Sequence, residues 1–441
     1  MNLKRIILQV IILQSIILLT ACITGSSDED TPIIESKVVD QRCLIDSDFI
    51  SDDSSDIDII SSKKCGTTKK VDSYIGYENF FDKPVSGQVF PVTVDYKVFE
   101  PTVNPEALIL LFTGGQGNAG IDVDPEVEEV SNQNNFLVRS AQVFAEKGYL
   151  AIIVDQPSVG DLLVENNGKA YYDLYRVSQF QSMDIVNILA AENTDSLPVY
   201  FMGTSRGAIS AYSQSRLANG VSLSSPVTVQ NQSFLYLGFS DESNEIVSLT
   251  PDYVSVPTQI VAHKNDNCSV SPHDEAYEFF QSITQVETEF VDEFGEKESL
   301  GDLTNNPCNA KTNHGFIGIE NAVVGKMTDW VKTQVDLLNQ TESFPVTLHK
   351  TYELKINEGN TVDILLNELI TGDIQNSNIA TLYPMSLYNA ILTVSNNQIS
   401  YEYDREVVND FTDKFIYLVK SSDSDITNVK YGIVTINVNM N

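Results

Sequence analysis

The residues with the clearest chemical meaning are a serine, an aspartate and a histidine that follow one another in that order along 441 residues. Ser205 stands in Gly203-Thr204-Ser205-Arg206-Gly207. A serine hydroxyl is a weak nucleophile until a nearby base takes its proton, and flanking glycines leave room for the sharp turn that exposes it. His314, in Asn313-His314-Gly315-Phe316, is the assigned base among only four histidines. His273 sits at a helix start, His349 lies in a later segment, and His263 is too close in sequence to the acid. His263 reads instead as a group behind the site or a structural one. The acid is Asp266, at the end of Ile260-Val261-Ala262-His263-Lys264-Asn265-Asp266, placed to accept from an imidazole N–H. Asp241, which ends an earlier apolar stretch, is the competing acid. A glycine-rich turn, Thr113-Gly114-Gly115-Gln116-Gly117-Asn118, lies upstream. Its backbone N–H groups are suited to a developing oxyanion; Gly115 and Arg206 are the assigned donors, with Gln116 in reserve. A nucleotide-binding loop is disfavoured, because no P-loop Lys-Ser/Thr follows and the G-x-G-x-x-G spacing is absent. The implied chemistry is acyl hydrolysis with no metal and no organic cofactor.

Such residues need rigid elements to hold them. Ala107–Phe112, Tyr149–Asp155, Leu197–Met202 and Val256–His263 read as buried strands. Phe90–Phe99 alternates like an exposed early strand, while Asn135–Lys147, Ser178–Ala191 and Ile319–Leu338 read as helices. Alternating strands and helices with continuous apolar strands predict a mostly parallel sheet flanked by helices on both faces. The segments 161–175 and 284–307 are expected to form the lid and pocket walls. After Ser343 the helical period disappears. Asn389–Val394, Gln398–Tyr403, Phe415–Val419 and Tyr431–Val438 are β-rich runs between Asn, Ser and Asp clusters, a β-sandwich pattern.

The serine motif, entered from a buried strand and left by a helix with small residues, resembles the nucleophile turn of the α/β-hydrolase superfamily. The glycine-rich turn resembles that superfamily's H-G-G-x-G oxyanion loop, with Thr113 in place of the histidine. His263, Asp266 and Cys268 (H-x-x-D-x-C), Pro307-Cys308, and His314-Gly315-Phe316 through Glu320 resemble a group of exported proteins of this fold. This second likeness spans roughly residues 88–338. It implies an α/β-hydrolase fold and a Ser205–His314–Asp266 triad and says less of the substrate, for which a carboxylic ester is the leading expectation. The alternatives are a catalytically inactive surface adhesion or scaffold protein, and a peptidase of the same fold. Asn357-Glu358-Gly359-Asn360-Thr361-Val362 and Phe411–Val419 resemble bacterial cadherin-like and Ig-like domains. That likeness implies a C-terminal spacer or adhesion module able to contact glycan or protein.

The ends and the cysteines set the expected compartment. Lys4 and Arg5 precede an apolar run, Ile6–Leu19, and then Leu19-Thr20-Ala21-Cys22. This resembles a bacterial lipoprotein signal, which implies lipidation at Cys22 and membrane association through the lipid. Ile23 rather than Asp follows the cysteine, which points to the outer membrane or cell surface of a bacterial envelope. Four further cysteines suit two disulfides in an oxidising compartment, Cys43–Cys65 and Cys268–Cys308, each within one segment. No C-x-x-C or clustered-histidine spacing supports a metal site. With 27 Lys+Arg against 61 Asp+Glu, a formal charge of −34, the chain repels nucleic acid. The expected organisation is a signal peptide over 1–21, a flexible acidic tether over 22–72, a hydrolase domain over 73–340 and a β-sandwich over 345–441.

Overall fold

The computed structural model describes residues 66–76, 89–115, 117–121, 134–158, 175–193, 197–227, 255–295, 299–301, 303–339, 346–371, 377–384, 386–388, 390–404, 407, 409–421 and 429–440. Cys22, Cys43, Cys65, Gln116 and Asp241 lie outside these residues, as do 161–174 of the expected lid. No helix among the described residues is long and apolar enough to cross a membrane.

Eight strands form one sheet: β1 (Thr67–Gly76), β2 (Val89–Phe99), β3 (Leu108–Phe112), β4 (Leu150–Pro157), β5 (Val199–Thr204), β6 (Gly220–Ser224), β7 (Thr258–Val261) and β8 (Thr288–Val291). Their spatial order is β1-β2-β4-β3-β5-β6-β7-β8. The pairs β1–β2 and β2–β4 are antiparallel, and all the others are parallel. Period-2 alternation explains why the central strands are apolar throughout. In β3, Leu108, Leu110 and Phe112 face one core and Ile109 and Leu111 the other. Helices α1 (Phe136–Glu146) and α5 (Glu320–Leu338) cover the second face. The first is covered by α2 (Gln179–Glu192), α3 (Gly207–Ser213) and α4 (His273–Ser282).

Two expectations are corrected. Residues 67–72, assigned to the tether, belong to β1. Its Thr, Lys and Asp residues reflect an exposed edge strand, where polar side chains discourage further pairing, rather than a flexible linker. Residues 288–291 are strand β8 at the other edge, not a pocket wall. Half-exposed edge strands lack the continuous apolar run by which the central strands are recognised.

The C-terminal segment forms a four-stranded sheet from β10 (Lys350–Lys355), β17 (Val429–Asn439), β16 (Phe411–Ser421) and β13 (Ser377–Thr381). A three-stranded sheet of β11 (Thr361–Leu365), β15 (Gln398–Glu402) and β14 (Ile391–Ser395) lies against it, and two short strands, β9 (Val346–Thr347) and β12 (Ile370–Thr371), pair with each other. Ile364, Leu392, Ile399, Tyr401, Phe415, Tyr417 and Val434 share the core between the two sheets. The alternate residues Ile416, Leu418 and Ile433 join the α2 side of the first domain's core. Asn396 and Asn397 have φ of 50° and 59°, the paired left-handed residues of a two-residue hairpin between β14 and β15.

Three buried carboxyls make stability depend on pH. Burial pushes Asp155 and Asp413 up to about 6 and Asp184 up to about 7. All three start from an ordinary value of 3.8, so between about pH 4 and 7 the folded chain holds more protons than the unfolded one. Stability therefore falls as pH rises through that window, by about 1.4 kcal/mol for each pH unit by which a carboxyl is raised. The thermal midpoint is expected to be higher at pH 5 than at pH 8. Asp184→Asn is expected to narrow that gap, whereas an unchanged gap would show that overall acidic repulsion alone sets it.

Candidate active site

The turn at Ser205 depends on three backbones approaching closely. A Cβ on Gly203 would lie 2.3 Å from the Gly207 carbonyl oxygen, and one on Gly207 would lie 2.1 Å from that of Phe112. Either side chain would force α3 away from β5 or β3. Between them Ser205 has φ 53°, a left-handed conformation that costs on the order of 1–3 kcal/mol for a residue with a side chain. Its N–H donates to the Ser224 carbonyl at 2.9 Å, which carries the β5–β6 ladder one residue past the strand.

The glycine-rich turn closes over this point. A Cβ on Gly114 would stand 3.1 Å from the Ser205 Cβ and 3.0 Å from the Thr204 carbonyl oxygen. Gly115 has φ 60°, and Gly117 N–H donates to the Gly114 carbonyl at 3.2 Å. Of the assigned donors, Gly115 thus lies in the turn above Ser205, and Arg206 follows the serine as the N-cap of α3.

Asp266 and His314 meet beyond β7. His314 Nδ1 donates to Asp266 Oδ2 at 2.9 Å, with the two residues 4% and 7% exposed. The other carboxylate oxygen accepts the Cys268 N–H at 2.8 Å, and Ser271 Oγ lies 3.0 Å from His314 Nδ1. A proton held at Nδ1 by an acceptor-only carboxylate leaves Nε2 as the acceptor, the form a general base requires. His314 sits in a short 3-10 turn, Asn313–Gly315, whose N-cap Thr312 accepts the His314 N–H through Oγ1 at 3.2 Å. The Arg139 guanidinium donates to the Gly315 carbonyl and, at 2.8 Å, to Glu320, tying that turn to α1 and α5. Ser225 joins the two halves of the site: its Oγ donates to the His314 carbonyl at 3.0 Å, one residue beyond the carbonyl that holds Ser205.

Cys268 and Cys308 form a disulfide between the Asp266 turn and the segment leading to His314. Asp266, Cys268 and His314 are the one group of potential metal ligands among the described residues. A disulfide sulfur is not a thiolate, and Asp266 already holds the imidazole, so the set does not suit a metal. The other histidines have different work. His263 Nδ1 accepts the Asn265 N–H at 3.1 Å and shapes the acid turn. His273 Nε2 lies 3.2 Å from Asp292, and His349 accepts the Ile433 N–H in the C-terminal domain. Ser225 and Ser271 bear on His314 without any spacing signature that marks them in the sequence.

No family model and no curated relative matches the sequence. Among solved structures, the chain is similar to a Thermus thermophilus protein at 16% identity, covering 56% of this chain and 94% of that one, with a TM-score of 0.34. It is similar to the acylaminoacyl peptidase of Pyrococcus horikoshii at 15% identity, over 64% of this chain and 44% of that one, with a TM-score of 0.38. An α/β serine hydrolase without a lid from Xanthomonas campestris matches at 11% identity, over 56% and 96%, with a TM-score of 0.33. The strand order, the antiparallel first strands, the helices on both faces and the serine turn after β5 are those of the α/β-hydrolase fold, and this chain has that fold, with a β-rich domain added after it.

Proposed function

We propose that this chain is a serine hydrolase that cleaves carboxylic esters. The observation that carries the proposal is the buried Asp266–His314 pair, fastened through Ser225 to the strand ends that hold Ser205 in its left-handed turn. In this reading His314 Nε2 takes the Ser205 proton as the hydroxyl attacks the ester carbonyl. Asp266 stabilises the imidazolium, and amides of the turn above Ser205 and of Arg206 receive the oxyanion. His314 then gives its proton to the leaving alcohol, and water hydrolyses the acyl-serine by the reverse sequence. An amide would need the same single proton from His314, and an ester suits this outline better because an alkoxide is the better leaving group.

The proposal extends to place. The basic residues, apolar run and Cys22 at the start of the chain support export and lipid anchoring in a bacterial envelope. An acyl-modified Cys22 would hold the enzyme at a membrane surface, in a compartment where a disulfide persists.

Three measurements test this reading. A serine-directed fluorophosphonate is expected to label the wild-type protein and not Ser205→Ala. That variant should lose on the order of 10⁶-fold in kcat, and Asp266→Asn about 10⁴-fold; labelling that persists in folded Ser205→Ala would refute the assignment. The Cys268–Cys308 bridge closes a 40-residue separation and is worth about 4 kcal/mol by chain entropy. Replacing both cysteines by serine is expected to lower the thermal midpoint by several degrees and kcat more than KM, because acid and base lose their shared tie. Finally, cells fed a labelled fatty acid are expected to mark the wild-type chain and not Cys22→Ala, with the variant released from the membrane fraction.

A further inference from the structure

Arg176 is buried, 3% exposed, directly before α2, and nothing in the triad chemistry calls for it. Its guanidinium reaches two different elements. Nη2 donates to the carbonyls of Thr113 and Gly115, each at 3.1 Å, on the glycine-rich turn. Nη1 donates to Ser210 Oγ at 3.0 Å, on the helix that begins after the nucleophile. These are the two elements that carry the oxyanion donors, one before and one after Ser205. We infer that Arg176 is the positioning residue of the oxyanion hole, a planar cation that fixes the orientation of the turn's peptides relative to α3.

A trans peptide carries its N–H opposite its C=O. A cation that holds the Thr113 and Gly115 carbonyls therefore fixes the peptides on either side of the Gly114–Gly115 peptide, whose N–H is the assigned Gly115 donor, and so limits how that amide can turn. Oxyanion stabilisation depends on donors aimed before the reaction begins, so a turn of glycines, which has wide backbone freedom, needs such a fixed counterpart. Guanidinium suits the task because its rigid fork spans two elements at once, which the point charge of a lysine does not.

The surroundings of Arg176 fit a brace rather than a substrate contact. Asp155, at the end of β4, lines the same small cavity and accepts the Ala119 and Ile121 N–H groups at 2.8 and 2.9 Å. Arg176 thus takes carbonyls at the start of the loop while Asp155 takes amides at its end. The Arg176 carbonyl is held in turn by Gln214 Nε2 at 3.0 Å. Gln214 accepts from Ser182 Oγ, which lies 2.7 Å from the Tyr383 hydroxyl. The brace therefore reaches back to the C-terminal domain.

This inference rests on the hydrolase reading for its catalytic consequence, but the bracing itself is measurable without turnover. Hydrogen exchange of peptides covering 113–117 is expected to speed up in Arg176→Ala and in Arg176→Lys; unchanged exchange in folded variants would overturn the inference. If exchange rises but the wild type never labels at Ser205, the brace stands and the hydrolase reading fails. In an active enzyme, both variants are expected to lose about 10²-fold in kcat with KM within a few-fold, the scale of one oxyanion donor. Added guanidinium should restore part of the loss in Arg176→Ala alone. A raised KM with unchanged kcat would instead make Arg176 a substrate-binding group and overturn its positioning role. Should Arg176→Ala not fold, Ser210→Ala cuts one arm of the bridge and keeps the cation. It is expected to lower kcat severalfold, and an unaltered kcat in that variant counts against the inference.

Discussion

Everything around the site follows from holding one side chain, that of Ser205, in a left-handed backbone conformation. At φ 53° the residue is strained, and only surrounding structure can keep it there. That structure requires β3, β5 and α3 to meet at distances that exclude a Cβ on Gly203 or Gly207. The parallel strands bring β3 and β5 side by side, and the ladder to β6 takes the Ser205 N–H. Strain recurs nearby: Ser225 at φ 41° follows β6, and Phe316 at φ 58° follows the His314 turn. Three of the five left-handed residues other than glycine among the described residues thus follow the C-terminal ends of β5 and β6 and the His314 turn bonded to Ser225, whereas the other two make an ordinary hairpin.

The second condition is electrostatic. Asp266 and His314 are both nearly inaccessible, and in such surroundings an unpaired carboxylate would be expensive to bury. Asp266 avoids that penalty by accepting from the imidazole and from the Cys268 amide. The residue that donates this amide is also the one tied by a disulfide to the approach of the His314 segment. Asp266, His314 and the cross-link are therefore one unit: the bond that orients the imidazole stabilises the buried carboxylate, and the covalent bridge keeps the two loops within reach.

The sequence makes the centre of this arrangement legible and leaves its edges obscure. Central strands buried on both faces are continuous apolar runs, so β3, β4, β5 and β7 are readable, and with them the residues at their ends. Ser205, Asp266 and His314 could be singled out because each sits at a strand end or turn in the order the fold requires. The polar edge strand β1 reads as linker and β8 as loop, since neither presents a full apolar face. β6 is hidden differently: Gly220-Val221-Ser222-Leu223-Ser224 carries buried serines, one of which donates to Gln259. Arg176 is illegible for a related reason. Its partners include two backbone carbonyls and a serine, and backbone acceptors leave no mark on residue types.

The C-terminal domain shows where a resemblance between segments understates a tertiary role. A spacer should carry apolar residues on the inner faces of its sheets only. Instead β16 is buried on both faces, with Phe415, Tyr417 and Val419 inside the sandwich and Ile416 and Leu418 against the core of the α/β domain. Helix α2 answers it, being buried around most of its surface, as a helix does when it lies between two layers. Polar contacts follow the same seam: Gln179 donates to the Ser386 carbonyl, and Ser182 meets Tyr383. Within the sandwich, Asp413 accepts from Ser386, Tyr401 and the Tyr388 amide, so the aspartate of the Phe411–Val419 motif fastens the very segment that touches α2. Separating the two domains would expose an apolar face on each, which is why this β-domain is better understood as packed onto the α/β core than as a module strung after it.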